Sequence, residues 1–233
     1  KPIAIEFRLD LFIHLDGIAL TAPLACLSKN NYGKFSELMS GHNTIINLDE
    51  LLNYKINEDY LNVTLRLFES QGLIKKEWLN KNTLSIIATN YGKDFFKEIG
   101  VYEKFFSFYK ELSELLFSNL NVHQKLNNIL NALNDLKVKN KTIIKHIEGL
   151  IIGPVLVSLF LNKHAKINKE NKLYLSDEIG NNNKNFVITL FKKINFIDQE
   201  KNLNEKGLFF CKRSSVYGVT VSYMPLFSKM ETL

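Results

Sequence analysis

The 233 residues are enough for one large domain or two small ones, each with its own core. With 45% hydrophobic and 23% charged residues, the composition excludes a chain that is disordered over most of its length. The net charge of +6 points to an acidic partner, but only Arg8, Arg66 and Arg213 are arginines, and an excess of lysine and asparagine is what AT-rich coding yields without selection for binding. Arginine is the side chain that grips phosphate and guanine with two parallel donors, so its scarcity disfavours nucleic acid.

In chain order, an apolar opening segment is interrupted by Glu6, Arg8, Asp10 and Asp16, which is not the pattern of a signal peptide. Within it stands His14-Leu15-Asp16-Gly17-Ile18-Ala19-Leu20-Thr21-Ala22-Pro23-Leu24. A short helix is predicted over 48–54 with Asn47 as its N-cap, and a longer one over 58–71. Gly72 is placed to end the latter in the left-handed conformation. A two-stranded wing follows, over 73–77 and 83–87, with the turn in 78–82. Thr89 caps the next helix. Residues 101–139 contain no proline and place Phe105, Phe108, Leu112, Leu115, Leu126, Ile129 and Leu133 at helical spacing, which predicts one or two linking helices.

The motif near the start then returns as His146-Ile147-Glu148-Gly149-Leu150-Ile151-Ile152-Gly153-Pro154-Val155-Leu156. The apolar run 147–161 carries Glu148 and Pro154 and falls short of the roughly 20 residues of a membrane span. It reads as a core helix, and no membrane partner is expected. A strand over 172–175 and a helix after Ser176 fill the remaining slots of a second copy. Asn195 stands where Gly72 stood, and Leu203-Asn204-Glu205-Lys206-Gly207 where Ala88-Thr89-Asn90-Tyr91-Gly92 stood. The fold expected is mainly α with small β wings: two tandem winged-helix-like units over 1–100 and 141–213, linking helices over 101–140, and a connector over 214–233. The apolar alternation of the connector, with Tyr217 and Tyr223, predicts an extended segment that then turns helical.

Chemistry is sparse. His14 and His146 sit at equivalent repeat positions beside an acid and Gly17 or Gly149, and a repeated position is first a structural one. No two histidines lie at metal-binding spacing with an acid, so no metal site is assigned. Cys26 and Cys211 lie in apolar company and read as buried free thiols of a reducing, cytoplasmic compartment. Glycines Gly149 and Gly153, four apart, predict a close helix approach and suggest a homodimer seam. No two glycines lie within two residues of each other, which excludes the Gly-rich loops that cradle a nucleotide. Catalytic residues are therefore unknown. As a DNA reader, the helix over 58–71 opposes Arg66 with Glu58, Asp59 and Glu69 and would repel phosphate; the later helix, with Lys184, Lys192 and Lys193 and no acid, would tolerate it. A DNA-binding winged-helix regulator stays as the alternative reading.

Two sets of residues carry a resemblance. Leu15-Asp16-Gly17-Ile18-Ala19, Tyr60-Leu61-Asn62-Val63-Thr64-Leu65-Arg66-Leu67 and Gln71-Gly72-Leu73-Ile74 resemble the N-terminal dimerisation region of small-molecule O-methyltransferases. The run 146–154 and the tail Tyr217-Gly218-Val219-Thr220-Val221-Ser222-Tyr223-Met224-Pro225 resemble the methyltransferases of polyketide synthase loading modules of the apratoxin type. The resemblance implies a helical lid and dimerisation and substrate-docking region of an S-adenosylmethionine-dependent methyltransferase acting on an acyl group held by an acyl carrier protein in polyketide biosynthesis. The cofactor, and in the apratoxin type a mononuclear metal, would be held by a catalytic core that is not in this sequence, and that core would itself be a partner. Tyr217 and Tyr223, nearest to such a core in sequence, are the candidates to face substrate.

Overall fold

The structure, a computed structural model, describes residues 3–29, 44–47, 58–115 and 123–230. The described chain is mostly helical with two small antiparallel sheets. It divides into two compact units, one of residues 1–19 and 107–228 and the other of residues 20–106 and 229–233. The boundary between them falls inside the first helix, α1 (Ile3–Lys29).

The smaller unit holds strand β1 (Thr44–Asn47), helix α2 (Glu58–Ser70), strands β2 (Ile74–Asn80) and β3 (Thr83–Ala88), and helices α3 (Asn90–Lys97) and α4 (Ile99–Phe106). Helix α2 buries Leu61, Thr64, Leu65 and Phe68 at helical spacing and turns Asp59, Asn62, Val63, Arg66 and Glu69 to solvent. β2 and β3 form the predicted wing. β1 adds a third strand to the free edge of β3, in the order β1-β3-β2. Asn47, predicted to cap a helix, is the last residue of that strand; the helix predicted over 48–54 lies outside the described residues. A register shift between Trp78 and Asn80 near the wing tip leaves Trp78 and Leu79 more than half exposed.

In the larger unit the first half of α1 is joined by α5 (Tyr109–Glu114), α6 (His123–Asn134), α7 (Lys141–Leu161), strands β4 (Ala165–Ile167) and β5 (Leu173–Leu175), a 3-10 turn at Asp177–Ile179, and α8 (Gly180–Lys193). It closes with α9 (Glu205–Cys211), a 3-10 turn at Ser214–Val216, α10 (Tyr217–Ser222) and α11 (Met224–Phe227). Bridges Lys172↔Asn202 and Ile197↔Leu203 extend the β4–β5 hairpin into the second wing. Both α1 and α7 are long and apolar enough to span a membrane by length and composition, but 67% and 78% of their apolar windows are buried, as in core helices.

The tail corrects one expectation. Residues 214–227 are helical, not extended. Tyr217, Val221 and Met224 recur at i, i+4 and i+7 and are all buried, so a period near 3.6 overrides the local alternation that suggested a strand.

Candidate functional site

The two copies of the repeated motif meet at one crossing of α1 and α7, within the larger unit. A Cβ on Gly17 would lie 2.3 Å from the Cα of His146, and a Cβ on Gly149 would lie 2.3 Å from the Cα of His14. Each copy thus supplies the glycine that admits the other copy's histidine backbone. The order is reversed across the contact: 14 faces 149 and 17 faces 146. Only glycine permits this approach, which explains why the motif holds glycine at both places. The close approach predicted for Gly153 is also made within the chain, by Ile18 of α1 and by Tyr217 and Val221 of α10.

The crossing encloses the polar centre of the unit. His14 and Tyr217 are 1% and 0% exposed, and Nδ1 of His14 lies 2.7 Å from the Tyr217 hydroxyl. Nε2 of His14 is 4.0 Å from Oε2 of Glu148, too far for a hydrogen bond, and has no hydrogen-bond partner among the described residues. The tautomer protonated at Nε2 suits both neighbours: the phenol donates to Nδ1, and the N–H points toward the carboxylate. The Phe210 ring stacks on the imidazole with centroids 5.0 Å apart. On the same face of α1, buried Asp10 is paired with Lys145 of α7.

Burial sets the ionisation of this cluster. It lowers the His14 imidazole to about 3, helped by the charges of Lys206, Lys145 and His146. Burial alone brings His146 to about 4. It raises the Glu148 carboxyl above its ordinary value while Lys206 pulls the other way, and it raises the Tyr217 phenol well above its ordinary value. Both histidines are therefore neutral near pH 7. An acid, an imidazole and a phenol in line suggest a proton relay, but a catalytic base must touch its substrate. His14 and Tyr217 are closed in by α1, α7, α9 and α10, so here they act as a polar lock in an apolar core.

The remaining candidates are dispersed. Tyr223 is half exposed, and its ring lies 6.3 Å from that of Phe227. Burial pushes the Cys211 thiol up to about 12, which keeps it an unreactive thiol. A groove of about 500 Å³ runs along the β4–β5 hairpin past His164, Lys166, Tyr174, Asp177 and Glu178, where Nδ1 of His164 lies 3.6 Å from Oε2 of Glu178. Among the described residues no three His, Cys, Asp or Glu side chains are grouped to hold a metal ion. Sequence reasoning missed the His14–Tyr217 pair, which spans 203 residues. The one local signal was Asp10 and His14 placed four apart on an otherwise apolar helix face.

Helix, wing and capped closing helix define the class of the second copy: a winged helix. Residues 148–233 match the family model of the AprA winged helix domain, and residues 7–76 match that of the AprA N-terminal domain. The two matches are consistent with an apratoxin-type protein of polyketide biosynthesis. No curated protein matches the chain.

Proposed function

We propose that these residues form the helical lid and substrate-docking region of an S-adenosylmethionine-dependent methyltransferase that acts on an acyl group held by an acyl carrier protein in polyketide biosynthesis. The observation that supports this reading most is the pair of AprA domain matches at the two ends of one chain. The residues present do not fit the cofactor or a metal: no Gly-rich turn exists to approach a nucleoside, and no three-ligand cluster stands among the described residues. No chemical step is assigned to this chain. Its role is to exclude water and shape the acyl pocket. Of the two tyrosines, Tyr217 is engaged by His14, and Tyr223 presents its ring to the surface. Tyr223 is the residue proposed to face substrate.

The test is Tyr223→Phe in the intact methyltransferase, assayed by the mass of the carrier-bound acyl group. Methyl transfer is expected to fall while the melting temperature stays unchanged. Unchanged turnover would remove Tyr223 from the site.

A further inference from the structure

Residues 141–213 hold 13 of the 30 lysines and arginines but only 7 of the 24 acids, a net charge of +6 that equals that of the whole chain. The rest of the chain carries 17 of each sign. A coding bias toward lysine would spread its excess along the sequence, so this partition reflects the second winged helix itself. Helix α8 contains no acid, and its solvent face carries Asn181, Asn182, Asn185, Thr189, Lys192 and Lys193. Lys184 is paired with Asp177, and Lys192 donates to Gln199. Lys193 forms no ion pair among the described residues. Lysines at the last turn of a helix also suit its dipole, but that effect needs no charge excess across 73 residues.

We propose that the exposed face of α8, with Lys192 and Lys193 at its C-terminal end, is the docking surface for an acidic protein. Two observations favour protein over nucleic acid. Arg213, the single arginine of residues 141–213, stacks on Phe209 at 4.0 Å and donates to its carbonyl, so no arginine is left to grip phosphate or guanine. The wing that would ride over a phosphate backbone sets the exposed acids Glu170, Asp198 and Glu200 against the exposed Lys166, Lys169 and Lys201, and so offers phosphate no net positive charge. An acidic protein surface, with its own scattered cations, tolerates both features.

This inference deepens the lid reading by naming where the carrier lands. A labelled holo acyl carrier protein and a random DNA duplex are titrated into the protein at low and at physiological salt. The carrier is expected to bind, to weaken roughly tenfold or more with salt, and to weaken roughly tenfold or more when Lys192→Glu and Lys193→Glu are combined. Lys75→Glu, on the first wing, should leave binding unchanged. The milder pair Lys192→Gln and Lys193→Gln should act in the same direction and guards against a charge-reversed chain that fails to fold. No carrier binding, binding indifferent to these variants, or a duplex bound more tightly than the carrier would each overturn the proposal. If the carrier binds at this face but the intact protein transfers no methyl group, the docking surface stands and the methyltransferase reading falls. If methyl transfer proceeds and the charge reversal changes nothing, the docking surface alone is lost.

Discussion

The helix-and-wing segments around α2 and α8 are built on the same hydrogen bonds and present different surfaces. After α2, Gly72 takes φ +70°, and after α8, Asn195 takes φ +57°. Leu73 N–H then donates to Phe68 O at 2.8 Å, as Phe196 N–H donates to Phe191 O at 2.7 Å. Thr89 N–H returns to Leu73 O at 3.0 Å, as Asn204 N–H returns to Phe196 O at 3.0 Å. Each of these residues then caps the closing helix, its side-chain oxygen accepting from Gly92 N–H or Gly207 N–H at 2.9 Å. Outside this frame they diverge: α2 shows Asp59 and Glu69 to solvent, whereas α8 shows amides and lysines. The frame depends on backbone geometry that few residues satisfy, while a solvent face changes at little cost. A difference confined to the face is therefore where function is expected to lie.

The strongest way to break the comparison is at the glycines. A Cβ on Gly92 would lie 1.9 Å from Leu73 O, and one on Gly207 would lie 2.2 Å from Phe196 O. Gly92→Ala and Gly207→Ala should each destabilise their own unit by about 1–3 kcal/mol or more, because the obstacle is backbone and cannot rotate away. Gly17→Ala should cost as much at the α1–α7 crossing. Urea unfolding checks all three, and a loss below about 1 kcal/mol at either wing would deny the shared frame.

Acid should act next. His14 and His146 have folded values of about 3 and about 4, against 6.5 unfolded. A depressed histidine value means that the unfolded chain takes up protons first, so their contribution is complete above pH 6.5 and is lost as the pH falls toward 4 and 3. The slope is up to about 1.4 kcal/mol per pH unit for each histidine. The raised carboxyl of Glu148 works in the opposite sense and offsets part of the loss. A urea midpoint that does not fall between pH 7 and pH 4.5 would contradict this account.

Smaller effects sharpen the picture. Tyr217→Phe leaves Nδ1 of His14 without its donor and should cost about 1–3 kcal/mol. The smallest change expected is Gly72→Asn, which transplants the residue of the second unit into the first. Nothing lies within 4 Å of a Cβ built at Gly72, so the loss should stay under about 1 kcal/mol, whereas Gly72→Val should cost more.

Much of this frame was legible in the sequence because it rests on local signals. Gly72 and Asn195 announce helix ends, Thr89 a cap, and the paired His-x-x-Gly motifs a repeat. The reciprocal crossing was not legible. Self-comparison shows that two segments are alike, not that they touch. Tyr217 was legible as unusual but not as interior, because five residues of alternating polarity read equally well as a strand edge or as a short helix. β1 was missed because Thr44-Ile45-Ile46-Asn47 is too short to carry a period.

The central proposal, that these residues form the lid of a methyltransferase and not its chemical centre, is tested most directly by S-adenosylmethionine calorimetry on the 233-residue chain, run beside intact-mass measurement of a carrier-bound acyl group incubated with the proposed intact methyltransferase. The account predicts no cofactor binding by the chain alone and addition of a methyl group by the intact protein. Cofactor bound by the chain alone, or an acyl group left unmethylated by the intact protein, would contradict it.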